Sequence, residues 1–152
     1  MLLSGGCACQ SIRYECTEKP IVQLICHCRD CQRASGSAFA AVMMVATDKF
    51  RFLKEEPAYH EVIGGSGRSL RRGFCAKCGT PVTANWPEMA AVKIIQVGSL
   101  DDPSCFEPQT EPWLSSGYSW HPVNPSTLKF ECRPITGVKD RLDAYFASRA
   151  TP

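Results

Sequence analysis

The sequence predicts a single, mostly β domain that ends in one short helix. Its 11 glycines and 11 prolines interrupt short apolar runs along the 152 residues, which is typical of short strands joined by turns. A chain of this length can bury a core of its own, and no sequence repeat divides it. We therefore predict one domain over residues 1–152.

Eight segments have the pattern of short strands. Residues 11–16 alternate apolar and polar side chains, and residues 21–25 form an apolar run that leads into a cysteine-rich segment. The predicted strands are 11–16, 21–25, 38–46, 49–53, 58–63, 69–74, 82–86 and 92–100.

Helical spacing of apolar residues is clear only near the C-terminus. It predicts a helix over about 137–149, behind Thr136 as a candidate N-cap. The residues that share its apolar face are Val138, Leu142, Tyr145 and Phe146. A further helical turn can form over 30–37, where Gly36 limits its length.

Composition excludes several classes of protein. The longest apolar runs, 39–46 and 92–97, are far shorter than the roughly 20 residues of a transmembrane helix, so no membrane partner is expected. The formal net charge of +2 assumes neutral thiols and turns negative if clustered cysteines bind zinc as thiolates, so nucleic acid is not expected either. The first residues lack a secretory leader, and we expect a cytoplasmic protein.

The ten cysteines are the strongest functional signal. In a reducing compartment, closely spaced cysteines indicate metal binding or catalysis more often than disulfides. Cys75 and Cys78, followed by Gly79, have the spacing of half a zinc site. Redox sites of the thioredoxin type share this spacing, but there the motif usually opens a helix, which Thr80-Pro81 does not favour.

The central cluster presents three thiols within one short segment, at Cys26, Cys28 and Cys31. Extended geometry sends Cys26 and Cys28 to one side and His27 to the other, which favours three sulfur ligands over a set that includes the imidazole. Three protein ligands leave the fourth position of a zinc ion open, as in catalytic sites, whereas four ligands form a closed structural site.

Seven clustered cysteines thus suggest one closed site of four thiols and one open site of three. Cys7 and Cys9 point to the same side of an extended segment and can supply two of the four. Spacing alone does not assign the partners, because Cys75 and Cys78 can instead close a single site with two members of the central cluster. The isolated cysteines, interpreted as core or surface residues, are Cys16, Cys105 and Cys132.

Charged side chains beside the central cluster are candidates for substrate contact. Arg29 and Arg33 can compensate the negative charge of three thiolates on a zinc ion and can pair with carboxylates. His27 is a candidate for proton transfer, although a hydrogen-bonded structural histidine is the simpler interpretation. The basic residues that precede the second cysteine pair are interpreted as a solvated face; they are Arg68, Arg71 and Arg72.

Four motifs together resemble a known family. They are Gly6-Cys7-Ala8-Cys9, the segment from Cys26 to Gly36, Phe74-Cys75-Ala76-Lys77-Cys78-Gly79-Thr80-Pro81, and Gly98-Ser99-Leu100-Asp101-Asp102-Pro103. In order and spacing, over about residues 5–120, they resemble the glutathione-dependent formaldehyde-activating (GFA) family and the related centromere protein V group. Two places depart from the family pattern: Gln10 stands where a glycine is usual, and Glu111-Pro112-Trp113 stands where a His-Ile-Trp-like segment is common.

The resemblance implies a β-tent fold of short antiparallel strands that holds two zinc ions. It assigns Cys7, Cys9, Cys75 and Cys78 to a structural zinc, and Cys26, Cys28 and Cys31 to a catalytic zinc. The implied activity is that of a carbon–sulfur lyase acting on S-hydroxymethylglutathione, the adduct of glutathione and formaldehyde, with glutathione as the small-molecule partner. The alternative is a non-catalytic, zinc-stabilised interaction module of the same fold.

Overall fold

The structure is a computed structural model that describes residues 3–134 and 137–149. Within these residues, eleven strands form two sheets, and two α-helices pack against the larger one. The smaller sheet has the order β1-β2-β5 and consists of β1 (Leu3–Gly6), β2 (Arg13–Cys16) and β5 (Phe50–Phe52). The mostly β fold and the short C-terminal helix predicted from the sequence are confirmed.

The larger sheet has eight strands in the order β11-β10-β3-β4-β9-β8-β7-β6. Its strands are β3 (Val22–Cys26), β4 (Ala40–Ala46), β6 (Ala58–Ile63), β7 (Ser69–Phe74), β8 (Pro81–Asn85), β9 (Val92–Gln96), β10 (Thr110–Pro112) and β11 (Leu128–Phe130). β10 runs parallel to both of its neighbours, β3 and β11, whereas the other pairs are antiparallel. Parallel pairing requires a long connection, and the segment between β10 and β11 provides one.

Two hydrophobic cores lie on the two faces of the larger sheet. β4 is buried on both faces, and its alternating side chains divide between the cores: Met43 and Val45 enter the first, whereas Val42 and Met44 enter the second. The first core also receives side chains of the smaller sheet, including the fully buried Tyr14. This division places one cysteine cluster in each core region.

The C-terminal helix α2 (Val138–Arg149) covers the second core. Leu142 is buried there, and Val138 and Phe146 pack against the same cluster. Tyr145, predicted for the same face, instead donates its hydroxyl hydrogen to Glu18 at 2.5 Å. The candidate N-cap, residue 136, lies outside the described residues.

The short helix α1 (Arg29–Ser35) follows β3 directly, where the sequence allowed one helical turn. Gly36 ends it in the left-handed conformation at φ 64°, and its backbone N–H donates to the carbonyl of Gln32. Among the helices of the described residues, none is long and apolar enough to cross a membrane.

Candidate metal centres

The structure brings Cys7, Cys9, Cys75 and Cys78 together, and we call these residues the four-thiol group. Their sulfur atoms all lie within 4.8 Å of one another. The Cys7 and Cys9 sulfurs are 3.5 Å apart, and the Cys9 and Cys75 sulfurs are 3.7 Å apart. Sulfur atoms around a tetrahedral zinc ion are about 3.8 Å apart, because each lies about 2.3 Å from the metal. The donor set therefore fits zinc.

Two similar turns aim these thiols. In the first turn the backbone N–H of Gln10 donates to the carbonyl of Cys7 at 3.0 Å, and in the second that of Gly79 donates to Cys75 at 2.8 Å. Both donors have left-handed backbone conformations, with φ 62° at Gln10 and 75° at Gly79. This conformation explains why a glycine is usual at position 10 in the family that the sequence resembles.

Polar contacts favour ionisation within the four-thiol group. Burial raises the pKa of Cys7, but hydrogen bonds with Ser11 and from the backbone N–H of Ile12 outweigh it and bring the pKa down to about 7. Hydrogen bonds from the hydroxyl and the backbone N–H of Thr80 lower the pKa of Cys78 to about 5. Since zinc binds thiolates, these contacts also favour metal binding.

Cys26, Cys28 and Cys31 form the second group, which we call the three-thiol group. Their sulfurs also lie within 4.8 Å of one another, and no other Cys, His, Asp or Glu of residues 3–134 and 137–149 joins them. Cys26 ends β3, Cys28 caps α1 and Cys31 lies in its first turn, where the backbone N–H of Cys31 donates to the Cys28 sulfur at 3.4 Å. The strand-to-helix junction thus creates the site.

The three thiols shift one another's pKa values through the hydrogen bonds between them. Hydrogen bonds from Cys26 and Cys31 lower the pKa of Cys28 to about 2, and the bond with Cys28 raises that of Cys26 well above its usual value. For Cys31 the bond with Cys26 lowers the pKa, whereas the bond with Cys28 and burial raise it to about 12. The charge of Arg72 opposes that rise. Three cysteine sulfurs this close together are a donor set that fits zinc.

His27 points away from the three thiols and forms a buried hydrogen bond with Glu111. Its Nε2 lies 2.8 Å from Oε2 of Glu111, and the two side chains are only 2% and 1% exposed. The other carboxylate oxygen accepts hydrogen bonds from the backbone N–H of Asn124 and the hydroxyl of Thr127, both at 2.8 Å. The sequence did not predict a role for Glu111, because Glu111 and His27 become neighbours only when β10 pairs with β3. The pair fixes the peptide between Cys26 and Cys28.

Arg29 and Arg33, the predicted substrate contacts, are both exposed on α1 and lie one helical turn apart. Arg29, which directly follows Cys28 in the chain, donates to the side chains of Gln32 and Tyr118. Gln32 also donates to the carbonyl of His27 at 2.9 Å, so the same residue supports both the arginine and the thiol segment.

The basic face predicted on β7 divides between the two sides of the sheet. Arg71 is exposed and lies with its guanidinium carbon 4.5 Å from the ring centroid of Tyr59. Arg72 is half-buried and close enough to Cys31 for its charge to act on that thiol. Strand alternation could have separated these adjacent arginines, but the sequence does not show which of them faces the cysteines.

Other cysteine, histidine and tryptophan residues are not members of either thiol group. Neither group includes Cys16, Cys105 or Cys132, and His60 is exposed on β6. Trp86 packs against the second core, whereas Trp120 is 70% exposed and stacks on Tyr118, with ring centroids 5.0 Å apart.

Comparisons with known proteins agree with this geometry. The sequence pattern described as glutathione-dependent formaldehyde-activating enzyme (GFA) matches residues 2–116. A crystal structure of a Rhodobacter sphaeroides protein, a structural-genomics target, superposes with a TM-score of 0.51 and 15% sequence identity, over 84% of this chain and 98% of that one. This likeness concerns the fold alone. No curated protein matches the chain. Because the family pattern covers most of the sequence and both thiol groups, the chain belongs to the GFA family.

Proposed function

We propose that this chain is a zinc-dependent enzyme of the carbon–sulfur lyase type, acting on S-hydroxymethylglutathione or a related thiol adduct at the three-thiol group. The observation that carries the proposal is the difference in ligand number between the groups of four and three thiols. In the proposal each chain holds two zinc ions, of which the four-thiol ion is structural. A zinc ion bound by the three-thiol group would act as a Lewis acid and lower the pKa of a substrate thiol bound to it.

The reaction requires no change of oxidation state. In the direction of adduct formation, the sulfur of glutathione adds to the carbonyl carbon of formaldehyde, and a carbon–sulfur bond forms. The π electron pair of the carbonyl moves to its oxygen, which takes up the proton released by the thiol. The lyase direction reverses these changes.

The chain's own residues bind and orient in this proposal. Arg29 begins α1 and Arg33 lies in its last turn, and their exposed guanidinium groups are suited to pair with carboxylates of glutathione. The Glu111 contact of His27 supports a positioning role, because it holds the segment that carries Cys26 and Cys28. Proton transfer by His27 stays a prediction.

An exchange measurement by NMR tests the activity. Glutathione and formaldehyde interconvert with their adduct spontaneously, so the exchange rate is measured with and without zinc-loaded protein. We expect the protein to accelerate exchange and Cys28→Ala to abolish the acceleration. Cys132→Ala removes an exposed thiol outside both groups and should leave the acceleration intact.

Metal analysis of the same proteins provides an independent test. We expect two zinc ions per unaltered chain and one in Cys28→Ala. A single tightly held zinc ion, with no second ion taken up on addition of Zn²⁺, would contradict the open site. Two zinc ions together with an unaccelerated exchange rate would instead favour the non-catalytic interaction module.

A further inference from the structure

Arg72 lies on the side of the larger sheet that carries the three-thiol group. In the register of β7 and β8 it pairs directly with Ala84, and Leu70 lies two residues earlier on the same strand. Directly paired residues, and alternate residues of one strand, share a face of the sheet. Ala84 is buried in the second core. The side chains of Leu70, Cys26 and Cys31 pack against the same core. The Arg72 side chain therefore lies on the same face of the sheet as Cys26 and Cys31.

The half-buried guanidinium of Arg72 forms no ion pair with the residues that the structure describes. Its basic neighbours differ in this respect. Arg68 pairs with Glu88 at 3.8 Å, and Arg71 covers the ring of Tyr59 on the opposite face. A guanidinium that is partly removed from water and lacks a counterion is suited to bind an anionic group of a ligand.

A hydrogen bond holds the hairpin that carries Arg72 against α1. β6 and β7 form a hairpin, and the backbone N–H of Gly65 at its tip donates to Oδ2 of Asp30 on α1 at 2.8 Å. The tip therefore rests on the same helix that carries Cys31, one residue beyond Asp30. The same bond engages the carboxylate of Asp30, the acidic residue of that helix.

The geometry points to Arg72 as the residue that binds a carboxylate of the thiol substrate and so selects carboxylate-bearing thiols such as glutathione. This inference rests on the proposed function, in which the substrate sulfur occupies the three-thiol group. Arg29 is already engaged by Gln32 and Tyr118, so Arg72 adds a cation on a different element of the site. Its planar fork can form two parallel hydrogen bonds with one carboxylate, which gives orientation as well as affinity.

Calorimetric binding to the zinc-loaded protein tests this inference. The ligands are glutathione and a glutathione diester, in which both carboxylates are neutral. We expect Arg72→Gln to weaken glutathione binding by about 10- to 100-fold, which is the usual effect of a charge-assisted hydrogen bond, and to leave diester binding unchanged. Arg71→Gln is the matched control, since it removes the same charge from the adjacent position on the opposite face, and it should change neither affinity.

The outcomes separate this inference from the proposed activity. Equal effects of Arg72→Gln and Arg71→Gln, or equal weakening of glutathione and its diester, would overturn it. So would an unaltered protein that binds glutathione no more tightly than the diester, even if exchange is accelerated. Arg72-dependent binding without accelerated exchange would support the inference and contradict the lyase. If Arg72→Gln does not fold, Arg72→Lys keeps the charge without the fork and should show a smaller, glutathione-specific loss.

Discussion

Replacement of Glu111 by alanine should destabilise the protein and loosen the three-thiol group. The carboxylate accepts hydrogen bonds from His27, Asn124 and Thr127, each at 2.8 Å, in a region almost without solvent. Each buried donor left unpaired costs about 1–3 kcal/mol, and Glu111→Ala leaves three donors without their acceptor. Because these costs overlap, we expect the free energy of unfolding of Glu111→Ala to fall by about 3–5 kcal/mol.

This loss should depend on pH. Burial raises the pKa of Glu111, but the hydrogen bonds from His27, Thr127 and Asn124 outweigh it, so the pKa lies below the ordinary value of 4.5. A carboxyl group with a depressed pKa in the folded protein stabilises the fold at neutral pH. That contribution is lost as the pH falls from the ordinary pKa through the folded one. The unfolding energies of the unaltered protein and Glu111→Ala should therefore converge in acid.

Urea denaturation of zinc-saturated protein measures the effect. The control is Glu55→Ala, which breaks an exposed ion pair with Lys77 and should cost about 1 kcal/mol or less. Glu111→Gln keeps the shape and part of the hydrogen bonding, so it should lose less than Glu111→Ala. Chelator titration should remove the three-thiol zinc about 10- to 100-fold more readily from Glu111→Ala, with the four-thiol zinc unaffected.

Either of two results would contradict the predicted role of Glu111. One is a loss in Glu111→Ala that matches the loss in Glu55→Ala. The other is an equal weakening of both zinc sites, because Glu111 contacts the segment between Cys26 and Cys28 and none of the four-thiol residues.

Three further predictions concern other parts of the fold. Gln10→Gly should raise the free energy of unfolding by about 0.5–1 kcal/mol, because φ 62° strains any residue with a side chain. Gly79→Ala, at φ 75°, should lower it by about 1 kcal/mol for the same reason, and urea titrations measure both changes. The bond with Arg13 holds the pKa of Asp101 at about 2, so the stability lost in Asp101→Asn at pH 7 should shrink as the pH falls from about 4 through about 2. Leu142→Ala should cost about 2–5 kcal/mol, because it leaves a cavity between α2 and the second core.

Each of these predictions has a result that contradicts it. A lower denaturation midpoint for Gln10→Gly would mean that its side-chain bonds outweigh the backbone strain. A difference between Asp101→Asn and the unaltered protein that is as large at pH 2 as at pH 7 would exclude the ion pair as its source. Near-equal stability of Leu142→Ala would show that α2 contributes little to the second core.

Local sequence patterns predicted the strands that have a clear apolar period. Each of the eight predicted strand segments overlaps an observed strand. The other three were not predicted, because β1 has one large apolar residue and β10 and β11 have three residues each, with Pro112 and Glu111 in β10. β10 is held by its parallel neighbours rather than by its own propensity, and such long-range pairing leaves no local pattern.

The candidate site likewise contains residues that local spacing predicts and residues that it does not predict. Spacing identified the cysteines and the opposite direction of His27, because both follow from backbone geometry over a few residues. Glu111 is separated from His27 by 84 residues, and its charge alone predicts an exposed position. Arg72 differs from Arg71 only in the face that it occupies, and that face depends on the register of β7 with β8.

The hydrogen bonds that Glu111 accepts join the part of the chain that the family pattern matches to a segment beyond it. The family pattern ends at residue 116, whereas the groups that cap Glu111 belong to Asn124 and Thr127. A segment outside the shared region therefore completes the support behind the shared cysteines. Relatives that differ only in this segment can differ in the rigidity of the three-thiol group, and with it in metal retention, without any change in the ligands themselves.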